Sequence, residues 1–420
     1  MADLPRMVHV RQSFSAEQIE DLPGSIQAEL ARVGLENVVG PGMEVAITVG
    51  SRGITRIPEI IRTVAEAVRA AGATPFIVPT MGSHGGAIAE GQAAVLRDYG
   101  ITEESTGAEV RATMDVVDLG TTANGATVYF DRNAYHADAV IVVARVKPHT
   151  SFRGPVESGL CKMITVGLGK QKGAEQMHAH GLAETIPQAA AVAIEKSNIV
   201  LGLGVVENGY DQPHTIRAAL ADDIYETDKE LQTLSKTLLP RVPFDELDLL
   251  IVDVMGKNIS GAGMDPNVIG LNRGMTMDRH PNYKRVLVRD LTPESHGNSV
   301  GIGHADFVTK RLADKINYYD LYMNALTANN PAVAKIPITL ENDKVAIETA
   351  FKSACTDVAA PRVVRIYSTL HLEYLLFSEA LIPAARENPN LEILDVPYAW
   401  EFDAAGNLVE AGLLQHPQSA

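Results

Sequence analysis

MEVAITVGSRGITRIPEIIRTVAEAVRAAGATPFIVP, residues 43–79, is the stretch that decides the fold class. Met43–Gly50 is short, apolar, rich in β-branched residues and closed by glycine, the pattern of a buried strand. Pro58 suits the first turn of a helix, and PEIIRTVAEAVRAAG then carries apolar residues at helical spacing until Gly72. Ala73–Pro79 reads as a second strand. A glycine-rich turn, Thr80–Gly86, opens the next helical stretch. Two strand–loop–helix units in succession predict a parallel α/β architecture, with both loops at the carboxyl ends of their strands.

Working outward, Gln18–Arg32 reads as a helix, DVVDLG and ATVYF as strands, and AVIVVARV as an apolar strand running into residue 146. Ile186–Lys196 and Asp222–Leu239 follow helical patterns on either side of the strand IVLGLGVVE. Pro240 and Pro243 flank a linker. Beyond it LDLLIVDVMG, RVLVRDL and VVRIYST continue as strands, Tyr318–Leu326 and Ala380–Arg386 as helices, and the tail from Ala404 is expected to be peripheral. At 420 residues the chain is too long for one ordinary core, so we expect two α/β domains, 1–245 and 246–420.

With 46% hydrophobic and 21% charged residues the composition is that of a globular protein with filled cores. A formal net charge of -16 repels nucleic acid and anionic membranes over most of the surface, which argues against both as partners. Cys161 and Cys355 are the only cysteines, too few for a disulfide framework or a four-thiolate metal site. MADLPRMVHV lacks the apolar run of a signal peptide, and a cytoplasmic location is the expectation.

Candidate chemistry gathers in VKPHTSFRGPVESGLCKMITVGLGKQKGAEQMHAHG, residues 146–181, a polar and glycine-rich run entered directly from a strand. Gly167-Leu168-Gly169 is not a dinucleotide fingerprint, and no serine or threonine follows Gly169-Lys170 as a Walker loop needs. His84 and His149 each follow a strand among small residues. Two near-neutral imidazoles on opposite sides of a substrate carbon suit reversible proton transfer, although a histidine at a loop corner also serves simply to hold the turn. Lys162 lies against Met163–Val166, where withdrawal from water would lower its pKa and help a nucleophilic amine; the alternative is a lysine that merely covers the start of a strand. His178 and His180, two apart on a strand or in a turn, are possible ligands for a transition metal. Arg52 and Lys310 are candidate carboxylate clamps, with arginine the better geometric match.

These residues resemble those of the nickel-dependent lactate racemase family, most specifically from Lys147 through His180. The resemblance implies two α/β domains with the active site in the cleft between them, and isomerase activity as a racemase or epimerase of 2-hydroxy acids. It further implies a nickel pincer nucleotide, a pyridinium mononucleotide tethered through Lys162, with one histidine, His178 or else His180, as nickel ligand. On the same footing Arg52 and Lys310 would bind the substrate carboxylate, while His84 and His149 would be the acid/base pair serving transient hydride transfer to the cofactor. Cofactor-maturation proteins are the implied transient partners. The polar loops Thr150–Glu157 and Asn258–Asn267 favour a sugar acid or another substrate larger than lactate. Two other classes fit the residues: a metal hydrolase using His84, His149 and His178, and a non-enzymatic protein binding an organic acid or nucleotide.

Overall fold

The computed structural model describes residues 4–51, 53–270, 280–327, 329–356 and 358–409. The chain divides into two compact units, one from Ser15 to Leu239 and one from Pro240 onward together with the residues up to Phe14. Against the expected division after residue 245, the break falls at Pro240, and the first strand changes sides. That strand, β1 (Met7–Gln12), pairs antiparallel with segments near the C-terminus. Pairing so distant in sequence leaves no trace in local periodicity.

Within the Ser15–Leu239 unit the strands are β2 (Glu44–Val49), β3 (Thr74–Pro79), β4 (Glu109–Val110), β5 (Val116–Thr121), β6 (Thr127–Asp131), β7 (Ala139–Arg145), β8 (Ile199–Glu207) and β9 (Pro213–Leu220). Six of them form a sheet in the order β4-β3-β2-β7-β8-β9, parallel from β4 to β8 and closed by antiparallel β9. β5 and β6 make a separate antiparallel ribbon. Period-two alternation sorts the side chains even though both faces are apolar. Val45, Ile47, Ile141 and Val143 join one core with Leu22, Ile26, Ile60 and Val64. Ala46, Val140 and Val142 join the other with Leu160, Ile164, Leu168 and Ile186. Helices thus cover both faces, as the strand–helix alternation of residues 43–79 predicts.

The strand order carries a functional consequence. From β2 the chain builds outward to β3 and β4, then returns to the other side of β2 to lay down β7 and β8. Ligands of open parallel sheets bind beyond the carboxyl ends of the strands at such a reversal. The loops after β2, β3 and β7 therefore occupy the favoured position.

The second unit contains β1 with β10 (Glu246–Met255), β11 (Asn282–Leu291), β12 (Phe307–Thr309), β13 (Ile338–Leu340), β14 (Val363–Ile366), β15 (Tyr374–Ser378) and β16 (Leu391–Ile393). Their order is β13-β12-β11-β10-β14-β15-β1-β16, parallel as far as β14 and antiparallel beyond it. The segment after Ala404 is less peripheral than expected: Leu408 is buried and its N–H donates to Asp343 Oδ2 at 3.0 Å.

Candidate functional site

Four segments at the carboxyl side of the first sheet, the loops after β2, β3 and β7 and the helix that carries Lys162, are each held by a buried polar group. The loop after β2 is tied to the end of β8. Thr55 N–H donates to Glu207 Oε1 at 2.7 Å, Arg145 Nε pairs with Glu207 Oε2 at 2.5 Å, and an Arg145 Nη1 contact reaches Gly53 O at 3.4 Å. Burial pushes the Glu207 carboxyl up, and Arg145 opposes that shift. Arg52, the expected carboxylate clamp in this loop, lies outside the described residues.

His84 sits in the loop after β3, exposed, with Nδ1 against the Ser51 hydroxyl of the preceding loop. Gly82 turns this loop at φ +59, a conformation that favours glycine, and a Cβ there would come within 3.3 Å of Val166. Gln92, fully buried, donates from Nε2 to Gly82 O at 3.0 Å and to His84 O at 3.2 Å. The histidine is exposed while its backbone is held from below.

The loop after β7 is closed by a bridge between Lys147 and Ser158. Inside it Glu157, buried, accepts the His149 N–H at 2.8 Å and pairs with Lys236 at 2.8 Å. Arg153 Nη1 donates to His149 O at 2.6 Å, and the Phe152 ring lies 4.5 Å from the imidazole. Ser151 N–H donates to His149 Nδ1 at 3.0 Å. An Nδ1 that accepts leaves the ring proton of neutral His149 on Nε2. Burial, and then the charges of Lys162, His178, Lys147 and Arg153, hold the imidazole well below its usual pKa. His149 is therefore a neutral ring whose Nε2 is the donor.

Lys162 ends the short helix Leu160–Lys162, which continues as a π-helical turn over Met163–Gly167. The segment is helical, not the start of a strand. Leu160, Ile164 and Leu168 recur every four residues, are fully buried against the sheet, and leave Lys162 half-buried off that face. Asp228 caps the helix, accepting Leu160 N–H at 3.0 Å and Cys161 N–H at 2.9 Å. A Cβ at position 159 would stand 2.0 Å from Asp228 Oδ1, so glycine there is a condition of the cap. Burial raises the Asp228 carboxyl, while the two backbone hydrogen bonds lower it.

His178 and His180 stand at the end of a helix, Lys170–Ala179, rather than on a strand. Two positions along a helix point to different sides. His178 is solvent-accessible, and its pKa is lowered by surrounding protein and by the Lys162 charge. His180 folds back as the helix cap, its Nδ1 on Gln176 O at 3.0 Å. His149, Lys162 and His178 thus form one electrostatic neighbourhood, with His84 on the adjoining loop. Lys310 belongs to the other unit, where its exposed amine pairs with Asp314 at 2.7 and 3.0 Å. Among the described residues no group of three or more His, Cys, Asp or Glu side chains is placed to hold a metal ion, and no helix is long and apolar enough to cross a membrane.

Sequence reasoning missed the supports: Gln92, Asp131, Lys170, Glu207 and Asp228. The only local signal is a polar residue inside an otherwise apolar or small-residue run, such as Lys170 after Gly167-Leu168-Gly169.

Residues 46–230 match the model of a domain of unknown function, DUF362. This span lies within the Ser15–Leu239 unit and includes His84, His149, Lys162 and His178. No curated protein matches the chain. Among solved structures, the lactate racemase apoprotein from Thermoanaerobacterium thermosaccharolyticum is similar with a TM-score of 0.42 and 12% identity, over 81% of this chain and 99% of that one. A Thermotoga maritima protein solved by a structural genomics consortium is similar with a TM-score of 0.48 and 15% identity, over 74% and 81%.

Proposed function

We propose that this chain is a racemase or epimerase that inverts C2 of a 2-hydroxy acid, using a nickel pincer nucleotide tethered through Lys162. The observation that carries the reading is the gathering of His149, Lys162 and His178, from three different segments, at the carboxyl side of the sheet's topological reversal.

The residues fit such a group. Lys162 is half-buried on a short helix whose N-terminus is capped by Asp228, so its amine is placed while still reachable. The pincer itself brings three of the nickel donors, leaving a single imidazole for the protein to add, and His178 is accessible for that purpose. A hydrolase would need a protein ligand set of about three. When bound, the group supplies a reversible two-electron acceptor.

The chain's own residues then supply proton handling and charge. His149, neutral and with its proton on Nε2, donates a hydrogen bond to the substrate oxygen. His84, in the tautomer whose Nδ1–H donates to the Ser51 hydroxyl, takes the hydroxyl proton on Nε2. Lys147 and Lys162 place positive charge beside His149, which suits an anionic substrate. The polar residues of Thr150–Glu157 favour a substrate with additional hydroxyls or a second carboxylate.

Co-expression with cofactor-making enzymes, followed by intact denatured mass and peptide mapping, tests the reading. A pyridinium mononucleotide adduct on Lys162 is the expected result, and Lys162→Ala should lose the adduct and lower turnover by about a thousandfold or more. An unmodified wild-type chain, beside a loaded control in the same cells, would overturn it.

A further inference from the structure

Lys170 is fully buried, an unusual place for an ammonium group. Its backbone adopts φ +54, sparsely populated by residues other than glycine. Three partners surround the amine. Asp131, itself fully buried, pairs with it at 2.9 Å; Pro79 O, at the last residue of β3, accepts a hydrogen bond; and Gln92 Oε1 accepts another at 3.3 Å. Burial lowers the Lys170 pKa and raises that of Asp131, with each partner opposing the other's shift.

The contact with Gln92 has a directional effect. Because Lys170 donates to Oε1, the amide must present Nε2 to the other side, where it donates to Gly82 O at 3.0 Å and His84 O at 3.2 Å. One amine thus holds both the start of the His84 loop, through Pro79, and its centre, through Gln92. It also opens the helix that carries His178. A buried ion pair is weak support for stability, since an apolar side chain of similar volume often serves as well. What an apolar side chain would not do is orient the amide.

The geometry points to Lys170 as a positioning residue for His84, acting through Gln92. This rests on the acid/base reading of His84, but its test does not. Two variants separate orientation from packing: Lys170→Met fills the space without donating, and Gln92→Glu still accepts from Lys170 but has no N–H for Gly82 O and His84 O. The full chain, labelled with 15N in its histidine rings, is compared with wild type by NMR and by thermal unfolding. In folded variants the His84 ring signals should move while those of His149 stay. In loaded enzyme kcat should fall on the order of ten- to a hundredfold with KM little changed. Unmoved His84 signals in both variants, equal movement of His84 and His149, or loss of fold in both would overturn the proposal. A wild-type protein without racemase activity but with the selective His84 shift would sink the functional reading and leave the positioning role standing.

Discussion

Both sheets bury charged side chains, but in different places and with different consequences. In the Ser15–Leu239 unit the buried charges lie under or within loops: Glu207, paired with half-buried Arg145, beneath the β2 loop, Lys170 and Asp131 beneath the β3 loop, Glu157 in the β7 loop, and Asp228 at the cap of the Lys162 helix. In the other unit the central ones lie on the strands, joined by Asp343 at the start of the helix Asp343–Cys355. Asp253 of β10 pairs with Arg289 of β11 at 2.7 Å and Arg365 of β14 at 2.8 Å, and Arg289 also pairs with Asp343 at 2.7 Å. The loop after β10, where a polar composition suggested substrate contacts, makes hydrogen bonds within its own unit. Lys257 Nζ donates to Gly261 O at 2.9 Å and Asn324 Oδ1 at 3.2 Å, and residues 266–269 are buried. Charges under loops hold the candidate residues in place, whereas charges between strands hold the sheet.

The largest test of that contrast removes the proposed acid/base residues themselves. His84→Ala and His149→Ala should each lower turnover by about a hundred- to ten-thousandfold while cofactor loading by mass is retained. Normal turnover in either variant removes that residue from proton transfer. A paired comparison comes next. Asp253→Ala leaves Arg289 and Arg365 without their shared carboxylate and should cost about 3–5 kcal/mol in urea unfolding, with no shift in the His149 or His178 ring signals. Asp228→Ala strips two N–H groups of their acceptor and should cost only about 1–3 kcal/mol, yet reduce loading on Lys162. If Asp228→Ala leaves loading intact and Asp253→Ala abolishes it, the contrast fails.

The smallest effect is on pH. The His149 pKa is depressed in the folded chain from a reference of 6.5. On lowering the pH the unfolded chain takes up that proton first, so the His149 contribution to stability is present above about pH 6.5 and is lost as the pH falls toward the folded value. Urea midpoints measured from pH 8 down to pH 5 should decline more steeply in wild type than in His149→Gln. Parallel curves would show that His149 is not held neutral.

Much of the first unit was legible. Residues 43–79 form β2, the helix Ile57–Ala70 and β3, nearly to the expected boundaries, because apolar periodicity and the Pro58 and Gly72 punctuation act locally. β1 was not legible as part of the second unit, since its partner β15 lies at the far end of the chain. The Lys162 segment was ambiguous for a different reason: Met163–Val166 is apolar but for Thr165 and too short to declare a period. Packing of Leu160, Ile164 and Leu168 on the sheet decided it.

Among the candidate residues, the sequence picked out His84 and His149 by residue type and place after strands, Lys162 by its apolar flank, and His178 and His180 by residue type and spacing. It could not separate His178 from His180, because two-residue spacing has no meaning until the backbone is known to be a helix there. Nor could it find Lys170, whose chemistry lies in contacts with Pro79, Gln92 and Asp131. Local pattern determined the alternation of strands and helices and the residue types available at their ends. Strand order, the separation of His178 from His180, the Nε2 proton of His149 and the buried supports were decided only in the tertiary structure, because each depends on groups brought together from distant parts of the chain.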